Sequence, residues 1–112
     1  MLQSERSIDK IHIKLGFAYY NQGFFNIDTY YSDKFGAHGS TIYIQFGDNG
    51  EVIKGYVNRT ANPNMTPRIM IGKKYTEWEK KNYKIGDILT VELFSNKKLK
   101  LYPALSNKLC KR

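Results

Sequence analysis

Apolar side chains alternate with polar ones at Ile11, Ile13 and Leu15, with His12 and Lys14 between them. A period of two is what a strand with one buried face needs, so His12 and Lys14 are predicted to face water. A polar turn at Asn21–Gly23 follows, and Phe24–Ile27 resumes an apolar extended run. The two runs read as a hairpin with Tyr19–Gly23 at its apex. Asp28 is placed to cap a short helix of about two turns, which Gly36 closes as the residue past the C-terminus. Thr41–Phe46 alternates again, Gly47–Gly50 is a tight-turn signal, and Glu51–Asn58 returns as the antiparallel partner.

The alternation then stops. Residues 58–68, NRTANPNMTPR, contain two prolines, three asparagines and two arginines. Hairpin connections usually take about 2–5 residues, and longer loops are either disordered or put to use. Arg68–Ile71 reads as a short strand. In the helical segment from Lys73, Tyr75 and Trp78 stand three apart with charges elsewhere, Glu79 and Lys81 among them, which predicts one narrow buried face. Lys84–Asp87 turns the chain into the strand Ile88–Phe94, and Ser95–Lys98 turns it back into Leu99–Pro103. Seven short strands and two short helices predict a mainly β fold, a seven-stranded open or nearly closed β pseudobarrel with helices at its ends. Nine tyrosines and six phenylalanines favour a sheet over a helical bundle. The expected organisation is a flexible N-terminus over 1–10, one folded domain over 11–103, and a tail over 104–112.

Charge sharpens this picture. The 112 residues carry a formal net charge of +8, and its placement is lopsided. Residues 1–56 hold five Lys and Arg against six Asp and Glu, whereas residues 57–112 hold thirteen against four. A one-sided basic half is the footprint of a polyanion binder; the plainer reading is a surplus that keeps a small domain soluble. The single Cys110 cannot form an internal disulfide, the opening residues are polar, and no apolar run approaches the roughly 20 residues of a membrane span. A cytoplasmic protein with no membrane contact is expected, and the Asn58–Thr60 and Asn64–Thr66 triplets are then not glycosylation sites.

Candidate chemistry is one-sided too. His12 and His38 read as surface residues, no Cys/His spacing suits zinc, and no Gly-rich phosphate loop or nucleophile elbow occurs. A metal-dependent nuclease needs converging acids and a lysine. Glu79 and Lys81 have a suggestive spacing, but a charged helix face is the commoner explanation. The loop offers more. Arg59 and Arg68 flank Asn58, Thr60, Asn62, Asn64 and Thr66. Arg reads guanine and Asn reads adenine through paired hydrogen bonds, while short Thr and Asn side chains reach phosphates. Pro63 and Pro67 lower the entropy lost on docking. The alternative is a loop whose Asn and Thr satisfy only their own backbone. Lys73 and Lys74 open the second helix, where free N–H groups already favour an anion. Tyr20, Asn21 and Gln22 give the first apex similar chemistry.

Together these segments resemble a B3-type DNA-binding domain, the pseudobarrel of plant transcription factors and of recognition domains in some bacterial restriction endonucleases. FFNIDTYYSDKFG resembles that family's strand followed by a helix ending in Phe-Gly. GYVNRTANPNMTPRIMIGKKYTEWEKKNYKIGDILTVEL resembles its strand, polar loop, strand, helix with a central aromatic, Gly-Asp turn and apolar strand. The likeness runs from about Ile11 to Tyr102, and Asp28 stands where the family has Pro. It implies a non-catalytic module that grips the major groove of double-stranded DNA, sequence-specifically and without a cofactor, through two arms on one side of the barrel. One arm is the apex around Asn21–Gly23 and the other is Asn58–Pro67. A nuclease would then reside in another domain or subunit. The rival expectations are an OB-like barrel for single-stranded nucleic acid and a small metal-dependent nuclease.

Overall fold

The computed structural model describes residues 6–16, 22–48, 50–94 and 97–102. Seven strands form one sheet: β1 (Ser7–Lys14), β2 (Phe24–Asn26), β3 (Thr41–Phe46), β4 (Val52–Asn58), β5 (Arg68–Met70), β6 (Ile88–Phe94) and β7 (Lys98–Tyr102). Their order is β1-β6-β7-β3-β4-β5-β2, and the sheet curls into a half-barrel. Neighbours run antiparallel except β3 and β7, which are parallel.

The alternation read from the sequence decides which side is core. Ile11 and Ile13, Phe25, Ile42 and Ile44, Val57, Ile69, Leu89, Val91 and Leu93, Leu99 and Leu101 are all buried on one face. Lys10, His12 and Lys14 of β1 stand on the other, where His12 Nδ1 lies 3.2 Å from Thr90 Oγ1. Two details differ from expectation. β1 and β2 are not a hairpin: β1 pairs with β6, β2 pairs with β5, and the two lie at opposite ends of the strand order. Apolar matching outweighs sequence proximity here, because Ile11 falls opposite Val91, Ile13 opposite Leu89, and Phe25 opposite Ile69. β1 also begins at Ser7, across a register shift between Ser7 and Asp9, so part of the expected N-terminal tail is strand.

The expected first helix is a 3₁₀ helix, η1 (Thr29–Lys34), and the Asp28 carboxylate accepts from Tyr30 N at 3.1 Å as its cap. The second is α1 (Lys73–Asn82), which lays Tyr75 edge-on to Phe25 and stacks Trp78 against Phe46. Glu79 lies not on a charged face but fully buried, accepting from the Tyr75 hydroxyl at 3.1 Å. Positions 75 and 79 are four apart and so share a helix face, which carries Glu79 inward with the tyrosine. Among the described residues no helix is long and apolar enough to cross a membrane.

Candidate nucleic-acid interface

The polar loop leaves β4 at Asn58 and returns at Arg68, and those two residues face each other in the β4–β5 ladder. Within it Pro63–Met65 makes one tight turn, η2, that is not regular helix, since Asn64 has left-handed backbone. Arg59 governs its position. Nε donates to Gly36 O at 2.7 Å, Nη1 to Ser32 Oγ at 3.0 Å and Met65 O at 2.9 Å, and Nη2 to Ser32 O and Phe35 O, both at 2.9 Å. A guanidinium has five N–H donors, so all of them are taken. The backbone N–H of Arg59 donates to His38 Nδ1 at 2.9 Å. Arg59 was expected to read guanine; in this structure its fork is spent on the C-terminal end of η1 and on the loop's own tip. Arg59 holds the loop.

Arg68 sits differently. Its guanidinium carbon lies 4.1 Å from the Phe24 ring centroid, Nε donates to Asn26 Oδ1 at 3.1 Å, and Nη2 donates to Asn62 Oδ1 at 3.2 Å. Asn62 Nδ2 in turn donates to Asn26 Oδ1 at 2.7 Å. The stack and the triangle fix the guanidinium plane, while Nη1 makes no hydrogen bond among the described residues. A planar cation held in place with donors to spare is the arrangement bidentate recognition needs.

The remaining loop residues divide. The Asn58 side chain accepts from Thr60 N, Thr60 Oγ1 and Ala61 N, an Asx turn that serves its own backbone. Thr66 Oγ1 donates weakly to Pro63 O, at 3.4 Å. Asn58, Thr60 and Thr66 therefore shape the loop. Asn64 and Met65 stand at its exposed tip, both with left-handed backbone (φ 63° and 57°).

The other expected contacts scatter. Tyr20 and Asn21 lie outside the described residues. Gln22 is exposed, next to Gly23, whose carbonyl accepts from Ile71 N and Gly72 N. Gly23 thus adjoins the Gly72 end of β5, whereas the polar loop departs from the Arg68 end. The two arms were expected on one side of the barrel; the described part of the first, Gln22 and Gly23, lies at one end of the three-residue strands β2 and β5, and the polar loop lies at the other. Beside Gln22 and Gly23 lies a shallow groove of about 510 Å³, lined also by Thr41, Lys54, Tyr56 and Met70 but by no residue of the polar loop. Lys73 is exposed with no ion pair among the described residues, but Lys74 Nζ lies 2.6 Å from Glu51 Oε2, and that carboxylate raises the ammonium's pKa.

Charge follows the arms only in part. Residues 52–76 contain five cations, Lys54, Arg59, Arg68, Lys73 and Lys74, and no Asp or Glu. The rest of the surplus lies elsewhere. Lys98 and Lys100 stand on β7, bonded to Gln45 and Asp48, and Lys80, Lys81 and Lys84 lie on or just after α1. Among the described residues no cluster of three or more His, Cys, Asp or Glu is placed to hold a metal ion, and Glu79 is too deep to meet a phosphate.

Three partners were missed from the sequence. Asn26 interrupts an apolar run at an outward position, which marks it in hindsight; Ser32 and His38 carry no such signal.

No protein-family model and no curated protein matches the chain. Among solved structures it is similar to the N-terminal domain of Helicobacter pylori LlaJI.R1, with a TM-score of 0.62 and 19% sequence identity. The alignment covers 93% of this chain and 98% of that one, so the two share a fold throughout.

Proposed function

We propose that this chain is a B3-type module that binds double-stranded DNA sequence-specifically in the major groove, without catalysis of its own, as the recognition part of a restriction endonuclease or a related system. The observation that carries the reading is the β4–β5 loop. It is polar and acid-free, pinned to η1 by Arg59 and to β2 by Arg68 and Asn62, and it presents an exposed tip. A loop already ordered before it meets its target loses less entropy on docking than a floppy one. The neighbour's name is that of a restriction-system protein, and the shared fold supports assigning this chain to the same kind of system.

Roles follow from donor availability. Arg68 addresses a guanine with its unspent Nη1, and Asn64, whose side chain makes no internal bond among the described residues, addresses a base edge from the tip. Lys54 and Lys73 take phosphates. Arg59, Asn58, Thr60, Asn62 and Thr66 keep the loop in shape. Gln22, with Tyr20 and Asn21, contacts the duplex from the other arm.

One observation favours a second reading. Tyr43 and Tyr56 are each about half exposed on the outer face of β3 and β4, where unpaired bases would stack. Competition separates the two. A labelled 20-base-pair duplex bound to the protein is challenged with excess unlabelled duplex or excess single strand. Displacement by duplex alone supports the proposal, and equal or better displacement by single strand overturns it.

A further inference from the structure

Met65 is the anomaly in the loop. It is 58% exposed, and it is the one long apolar side chain in a stretch otherwise made of polar residues, prolines and an alanine. A single exposed hydrophobic residue is ordinary on a protein surface. Its backbone is not. Asn64 has φ 63° and Met65 φ 57°, two successive non-glycine residues in the left-handed region. Glycine would adopt that shape without strain, so a methionine there carries a conformational cost, and strain of this kind gathers at functional sites. The strain is also held from outside. Arg59 Nη1 donates to Met65 O at 2.9 Å, and Asn62 Nδ2 reaches Thr66 O at 3.4 Å. The guanidinium that grips Met65 is itself anchored on Ser32, Phe35 and Gly36.

We infer that Met65 is a specificity-determining residue whose thioether packs against the 5-methyl group of a thymine in the major groove, with Arg59 as its positioning residue. This rests on the duplex-binding reading above. An unbranched, polarisable side chain at the tip of a rigid prong suits a small apolar target, and the thymine methyl is the one apolar group that base pairs present in that groove. Asn64 beside it supplies polar contact with a base edge, so adjacent tip residues divide methyl and hydrogen-bond recognition between them.

The test removes the methyl group and nothing else. On the duplex that the full chain selects, each thymine is replaced in turn by deoxyuridine, and binding is measured for the wild type, Met65→Ala, Met65→Leu and Arg59→Lys. At one thymine the wild type is expected to lose about fourfold in affinity, the value of one buried methyl. Met65→Ala is expected to bind the unaltered duplex about fourfold more weakly and to ignore that methyl. Met65→Leu retains the discrimination. Arg59→Lys loses it while keeping a wild-type circular dichroism spectrum, because the lysine cannot hold the tip. If no thymine shows a loss in the wild type, or Met65→Ala suffers the same loss at the same thymine, the inference is wrong although duplex binding stands. If no duplex is selected at all, the duplex-binding reading falls and takes this inference with it.

Discussion

Replacing Glu79 with Gln should remove part of the protein's loss of stability as pH rises. Glu79 is fully buried on α1 with its Oε2 accepting from Tyr75, while Oε1 has no hydrogen-bond partner. Desolvation raises its pKa from 4.5 to about 7; the Tyr75 hydrogen bond and the charge of Lys80 pull the other way without overcoming it. A carboxyl group whose pKa is raised on folding stabilises the protein fully below the unfolded pKa. That stability is lost as pH climbs toward the folded pKa, because the unfolded chain releases the proton first. At about 1.36 kcal/mol per pKa unit, the loss between pH 4 and pH 8 is on the order of 3 kcal/mol. For a domain of this size that is on the order of 10 °C in melting temperature. A glutamine fits the same space, can accept from Tyr75 and never ionises. Thermal and urea unfolding of both proteins from pH 4 to pH 8 isolates the effect, since other titrating groups contribute equally to each. Glu92, for instance, has its pKa lowered: burial alone would raise it, but hydrogen bonds from Ser7 and Tyr102 and the charges of Lys10 and Lys100 prevail. The variant should be close to wild type near pH 4 and more stable by a few kcal/mol near pH 8. Parallel stability profiles across that range would refute the argument, and Glu79 would have to be ionised in the folded protein.

Three further outcomes are expected. Arg59→Ala strips donors from four backbone carbonyls at once and should cost about 2–3 kcal/mol in urea unfolding. It should also speed cleavage of the 59–67 loop by a nonspecific protease, and an unchanged cleavage rate would mean the loop is held by something else. Gly55→Ala places a Cβ 2.5 Å from Met70 O and 2.8 Å from Ile44 Cδ1, so β4 must shift away from β5, at a cost of about 1–3 kcal/mol; wild-type stability would show that the two strands separate freely. Lys73→Ala should weaken binding to every duplex alike and flatten the salt slope by about one unit, and an unchanged slope removes Lys73 from the interface.

Much of the sheet was legible because it rests on period two. Ile11–Ile13, Ile42–Ile44, Leu89–Val91 and Leu99–Leu101 announced both strand and buried side, and Asp28 and Gly86 marked a cap and a turn that the structure contains. The pairings of β3 with β4 and of β6 with β7 were legible from the turns that join them, but the partners of β1 and β2 were not. Nothing local to residues 11–27 says that β1 belongs against β6, since that choice depends on apolar partners nearly eighty positions away. The buried acid was misplaced for a related reason: Glu79 reads as surface by type, and only its helical phase with Tyr75 carries it inward. In the loop, residue types pointed correctly to a polar, stiffened segment but could not apportion roles. Arg59 and Arg68 look equivalent in sequence. Their difference comes from η1, which meets Arg59 from 23 to 27 positions earlier in the chain and saturates its fork. Met65 drew no notice because left-handed backbone at a methionine is invisible in composition.

The most direct test is a binding selection from a random duplex library with the intact chain, repeated with residues 60–66 replaced by a Gly/Ser segment of equal length. The expected result is one enriched motif for the native chain and none for the replacement, with weak salt-sensitive binding to any duplex surviving in both. Enrichment of the same motif by both proteins, or of none by either, would contradict the claim that this loop reads DNA.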